Sequence, residues 1–197
     1  MVQTSTPLPA ACLLALLLGA GAAHAGAPRL PGVIPVANPC PRLAAGSVLH
    51  NPPALFSRNG VLAVDFSYQT RMDSDGRNLF CFMTPDGLEN PTLHVSPGDR
   101  LRIRVTNNTP AAPFEMRIDP PNCGAAVMTG SSVNIHFHGT NTAPLCHQDE
   151  IIRTLINSGE TFTYDVQIPA DEPPGLYWYH SHIHMHVEPT LQGDFRA

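Results

Sequence analysis

From residue 60 onward, apolar and polar positions alternate with a period of two, in short runs broken by turn residues. Leu62, Val64, Phe66 and Tyr68 form one such run. Leu101, Ile103 and Val105 form another, set against Arg100, Arg102 and Arg104. Successive side chains leave a strand on opposite faces, so the second run is a half-buried strand with its arginines in water. Pro97-Gly98-Asp99 just before it suits a type II turn, proline fixing φ and glycine taking the positive φ. The same reading predicts strands over residues 79–83, 114–118, 132–138, 161–168 and 176–182. No apolar pattern of period 3.6 persists beyond the N-terminal leader. Short strands between closely spaced turn signals predict an all-β antiparallel sandwich or barrel.

Composition agrees with that class. Charged residues make up 14%, against roughly 25% in ordinary soluble proteins, while the 197 residues include 21 Pro and 15 Gly. The net charge of -5 comes with no basic patch, so nucleic acid is not an expected partner. Residues 1–25 read as an export signal: an apolar run over 13–18 leads to the small-x-small site Ala23-His24-Ala25. That run is too short for a membrane span, and a secreted or periplasmic location is expected. Residues 26–58 are rich in Pro and Ala and read as an extended arm; residues 59–197 carry the domain. The exported part holds Cys40, Cys81, Cys123 and Cys146, an even number that points to disulfides. Three pairings are open. Cys123 with Cys146, bracketing the His136/His138 strand, and Cys40 with Cys81 is favoured among them.

Histidine carries the chemistry. Seven of ten histidines fall between 136 and 186, and four form the pairs His136-Phe137-His138 and His180-Ser181-His182. On an extended backbone, residues i and i+2 share a face, roughly 6.5 Å apart. Imidazole is a good ligand for copper and zinc, and two such pairs brought side by side predict one compact metal site. His184 and His186 continue the alternation and are expected to support the site or face solvent. His50, His94 and His147 are isolated and are expected to be structural or exposed.

Two segments then resemble a known family. Asn134-Ile135-His136-Phe137-His138-Gly139 and Pro174-Gly175-Leu176-Tyr177-Trp178-Tyr179-His180-Ser181-His182 look like the first two copper motifs of multicopper oxidases, the family of laccases, ascorbate oxidases and bilirubin oxidases. Pro91 to Asp99 resembles the strand-turn-strand segment that precedes them. The resemblance implies a Greek-key sandwich of cupredoxin (plastocyanin-like) type. It also implies that His136 binds a type 2 copper, and His138, His180 and His182 the type 3 pair. In that family the three coppers reduce dioxygen to water with electrons from a separate type 1 copper. Asp149 stands where family members place an acid thought to supply protons to the cluster.

The departures shape the expectation. The family's cluster takes eight histidines from two cupredoxin domains, and four are present here. Its type 1 site needs a His-Cys-His run, and Cys146-His147 is the only Cys-His step. Where the family continues into an apolar strand, this sequence reads Asp194-Phe195-Arg196-Ala197. The chain is therefore expected to be the first domain of such an oxidase, with its final strand missing and the sheet edge left unpaired. Its partner would be a second cupredoxin domain or chain, with dioxygen and a small reducing substrate for the complete enzyme. One alternative is an exported copper-binding module without turnover. A more distant one is a cupin-like mononuclear centre, from His182-x-His184-x3-Glu188.

Overall fold

The computed structural model describes residues 40–183 apart from 45, 114 and 119–121, together with the backbone of 193–196. The expected export signal over residues 1–25, residues 26–39 of the expected arm, His184, His186 and Glu188 lie outside the described residues. Among the described residues there is no helix, hence none long and apolar enough to cross a membrane. The described residues form thirteen strands in chain order. The first five are β1 Ala54–Phe56, β2 Val61–Met72, β3 Asn78–Met83, β4 Thr92–His94 and β5 Arg100–Asn107. Then come β6 Glu115–Arg117, β7 Cys123–Gly124, β8 Val127–Thr129 and β9 His136–His138. The last four are β10 Thr154–Leu155, β11 Thr161–Gln167, β12 Leu176–His180 and β13 Gly193–Arg196.

Two sheets form the body, ordered β11-β5-β2-β3 and β1-β4-β13-β12-β9; β6–β8 and β7–β10 are small ribbons. Alternation decides what lies between the sheets. Leu101, Ile103 and Val105 of β5 and Phe162, Tyr164 and Val166 of β11 point inward, and Leu93, Phe137 and Tyr179 meet them from the other sheet. The Phe66 and Phe82 rings lie 6.0 and 6.2 Å from Tyr179, and Tyr164 meets Phe137 edge-on at 6.4 Å. These contacts close a two-layer all-β sandwich, as the sequence pattern predicts.

The details differ in four places. Pairing is mixed, because β3 turns back along one edge of β2 and β4 crosses to the second sheet. The chain then returns as β5, parallel to β2 on its other edge. The arm contributes β1, which pairs with β4 in parallel. The strand predicted over 132–138 shrinks to β9, with Val133 held to Ile156 by an isolated bridge. The unpaired edge expected near residue 194 is not there: β13 lies between β12 and β4 and pairs with both.

The turn before β5 is of the expected type, Asp99 N–H donating to Ser96 O at 3.0 Å with Gly98 at φ +86°. Both favoured disulfides are present, Cys40–Cys81 and Cys123–Cys146.

Candidate metal centre

β9 and β12 are antiparallel neighbours, with His136 opposite His180 and His138 opposite Trp178. Directly opposed residues share a face, so one side of this two-strand patch carries His136, His138, Trp178 and His180. The other side sends Phe137 and Tyr179 into the core, at 1% and 0% exposure. Burial of these two aromatic rings fixes the register, because a slip by one residue would turn the imidazoles inward.

The rings crowd together. His136 lies 5.4, 5.3 and 5.4 Å, centroid to centroid, from His138, His180 and His182. One ligand atom from each of His136, His138 and His180 falls within 4.8 Å of the others. Two nitrogens on a single ion are at most ~4 Å apart, so closure on one ion needs a shift of less than about 1 Å. His182 stands just past the end of β12, 6.1 Å from the His180 ring. Trp178 stacks on His138 at 4.5 Å and on His180 at 4.2 Å, holding rings from opposite strands at a set spacing.

Hydrogen bonds set the tautomers. His180 Nδ1 is 2.7 Å from the Ser181 carbonyl, which can only accept, so Nδ1 carries the proton. Its Nε2 is then a lone pair, buried and without a partner among the described residues. His136 Nδ1 lies 3.0 Å from Asp149 Oδ1, which likewise leaves Nε2 for a ligand. The His180 pKa is lowered from its ordinary 6.5, first by burial and then by the neighbouring histidines, although the Ser181 hydrogen bond opposes this. The neutral ring that results is the form that ligates metals.

A buried acceptor with nothing to accept costs about 1–3 kcal/mol, and here it faces two more imidazoles. A metal cation satisfies it. The all-nitrogen donor set suits copper, zinc, iron or nickel.

Asp149, 8% exposed, sits at the back of this face. Besides His136, its Oδ1 accepts from Phe137 N–H at 3.0 Å, and its Oδ2 from Thr142 Oγ1 at 3.3 Å. β9 is an edge strand, and side chains take up the N–H groups on its open edge: Asp149 binds that of Phe137 and the Tyr164 hydroxyl that of Ile135. Burial raises the Tyr164 pKa, which keeps that phenol neutral. The sequence offered Asp149 only by resemblance; its pairing with His136 is a contact between β9 and the loop after it. Gly139, at φ +87°, starts that loop, and a Cβ there would meet the Tyr177 ring at 3.4 Å.

The remaining histidines are occupied differently. His50 is exposed, His94 stacks on Phe56 at 4.4 Å, and His147 stacks on Phe162 at 4.6 Å. Cys146 is in its disulfide, and no described cysteine is free as a thiolate. Three contributors carried no role in the sequence reading: Trp178, Thr142 and Asn134, whose side-chain Oδ1 accepts from the His182 N–H at 2.7 Å. Parity alone could have flagged Trp178 and Asn134, each two residues from a histidine of the site.

Residues 128–196 match the sequence profile of a family described as Multicopper oxidase. An iron transport multicopper oxidase, FET3, of Gibberella zeae is 30% identical over 108 residues, 53% of this chain and 14% of that protein. Laccase-2 of Agaricus bisporus is 30% identical over 129 residues, 57% of this chain and 21% of that protein. The chain thus spans about a seventh to a fifth of the curated relatives it matches. Among solved structures, a multicopper oxidase from Campylobacter jejuni, a metallo-oxidase, aligns with a TM-score of 0.49 and 23% identity. That alignment covers 75% of this chain and 28% of that one.

Proposed function

We infer that this chain, which carries a cupredoxin domain of the multicopper oxidases, holds copper on the β9/β12 face and supplies half the ligands of a trinuclear cluster. His136 is assigned to the type 2 ion, and His138, His180 and His182 to the type 3 pair. The observation that carries this reading is the buried, partnerless Nε2 of His180 beside His136 and His138. Copper bound there supplies one-electron chemistry toward dioxygen, with water as product and a phenolic, other organic or metal-ion substrate as reductant. The chain's own part is to present neutral imidazoles in fixed tautomers. Asp149 orients His136 and is the group placed to hold a proton next to it.

Four imidazoles on one face leave coordination positions open, and none of the described cysteines offers the thiolate of an electron-entry site. Both gaps support a second cupredoxin domain or chain as the partner completing the cluster. The export signal supports a secreted or periplasmic setting, in which both disulfides are stable. The competing reading, a copper-binding module without turnover, is favoured by the same lack of a described thiolate.

One experiment separates the two. The purified chain is loaded with copper and assayed on a phenolic substrate, alone and with a co-expressed partner cupredoxin domain. Turnover only with the partner supports the half-site. Turnover by the chain alone contradicts it, and copper binding without turnover in either case favours the module.

A further inference from the structure

The ladder between β9 and β12 ends at His136 and His180, yet His182 lies beyond it. Extending the register by two places sets His182 opposite Asn134. A continued ladder would join the His182 N–H to the main-chain carbonyl of Asn134. Instead the His182 N–H donates to the side-chain Oδ1 of Asn134, at 2.7 Å. The other end of the same amide donates from Nδ2 to the Ile151 carbonyl at 3.0 Å, two residues after Asp149. Asn134 is fully buried, and both ends of its amide are used. One side chain therefore ties the backbone of the second histidine pair to the loop whose carboxylate holds His136.

We propose that Asn134 is a positioning residue for the metal centre, fixing His182 where strand pairing has stopped and coupling it to the Asp149 loop. This rests on the half-site reading above. His136, His138 and His180 are set by the ladder and by the core aromatics beneath it. His182 has no such frame. Its N–H is held by a side chain, and its ligand atom stands outside the group formed by the other three. A leucine at 134 has the same branched skeleton and no polar side-chain atom, so it removes both links while still filling the site. The expected consequence is selective: copper contacts that need His182 are lost, and those of the other three histidines remain.

The test uses the full chain, copper(II) as probe, and four forms: wild type, Asn134→Leu, His182→Ala and the double variant. Asn107→Leu is the control, because Asn107 is equally buried and its Nδ2 donates to the Ser131 and Ile156 carbonyls away from the histidines. In the metal-free chain, the His182 amide should exchange its hydrogen at least about tenfold faster in Asn134→Leu than in wild type. With copper, Asn134→Leu should lose about 10- to 100-fold in affinity and take the electron paramagnetic resonance spectrum of His182→Ala. The double variant should match His182→Ala, since a residue acting through His182 has nothing left to act on. Asn107→Leu should keep the wild-type spectrum.

A wild-type spectrum and affinity in Asn134→Leu would overturn the inference alone. So would an equal loss in Asn107→Leu, which would mark a general packing effect. Should Asn134→Leu fail to fold, Asn134→Asp carries the test, because it retains an oxygen for the His182 N–H. Asp keeps an acceptor for His182 but has no donor for the Ile151 carbonyl. Slow exchange of the His182 amide retained there, with faster exchange in the 149–151 loop, supports the inference; loss of the slow His182 exchange, or an unchanged loop, overturns it. A wild-type chain whose copper binding ignores all four histidines would overturn the half-site reading, and this inference with it.

Discussion

Two outward sheet faces of this molecule carry polar residues at alternate positions, and they are built in opposite ways. On β5, Arg100, Arg102 and Arg104 face carboxylates of the flanking strands. Arg104 Nε and Nη2 meet both oxygens of Asp65 at 2.8 and 3.0 Å, and Arg100 and Arg102 share Asp165 Oδ1 at 3.1 and 3.5 Å. The pairing holds Asp65 below the usual carboxylate range, the Arg104 hydrogen bond being the largest cause. On the β9/β12 face, imidazole stands opposite imidazole. Among the described residues only His136 has an acid, and the buried Nε2 of His180 has no partner. Opposed unlike charges neutralise each other as ion pairs. Opposed lone pairs make an incomplete set, which a cation completes. The alternation is the same; what stands opposite it decides between a solvated face and a site.

The sharpest way to break the contrast is to remove what both faces rest on. Phe137 is buried under the histidine face and against β11, so Phe137→Ala should cost about 3–5 kcal/mol in denaturant unfolding. A cost under about 1 kcal/mol would mean that the register of β9 is fixed by something else. Next comes ligand removal: replacing either histidine pair with alanine should weaken copper binding at least about 100-fold in equilibrium dialysis, more than loss of an outer partner does. His50→Ala should leave binding unchanged. Asp149→Asn keeps the shape but weakens the hold on His136, and a drop of about 10- to 100-fold in copper affinity is expected.

Acidity gives a smaller effect of defined sign. Because the His180 pKa is lowered in the folded state, the unfolded chain binds the extra proton first. Stability of the metal-free chain should therefore fall as pH drops below the ordinary value of 6.5 toward the lowered one, with no loss from this group above 6.5. His180→Gln should flatten that slope, read from denaturant midpoints at several pH values; an unchanged slope would contradict the burial argument. The smallest effect belongs to the other face. Arg104→Ala breaks an exposed pair, so a change of at most about 1 kcal/mol is expected, declining in high salt.

The same contrast shows what could be read before the structure was in hand. The alternations 62–68 and 101–105 state local facts, namely which side chains share a face, and each became a strand of the expected phase. The two His-x-His pairs are local in the same way, and their meeting needed only that β9 and β12 be neighbours. What the sequence did not reveal are relations between distant segments: β2 running parallel to β5, β1 recruited from the arm, and β13 inserted between β12 and β4. Side chains that act across such distances were equally hidden. Trp178 looked like one aromatic among several until the register set it against His138. Asn134 looked like part of a motif until its amide was found bridging His182 and Ile151. Asp149 needed the loop after β9 to fold back before it could reach His136.

The most direct test of the centre is to locate the metal. Crystals of the full chain grown with copper, measured at wavelengths on either side of the copper absorption edge, would report the ion's position by its anomalous signal. Copper is expected at two separate positions, ~2 Å from Nε2 of His136 and ~2 Å from Nε2 of His180, with Asp149 still bonded to Nδ1 of His136. Copper found only at exposed histidines such as His50, or a β9/β12 face left without copper at saturating concentration, would contradict it.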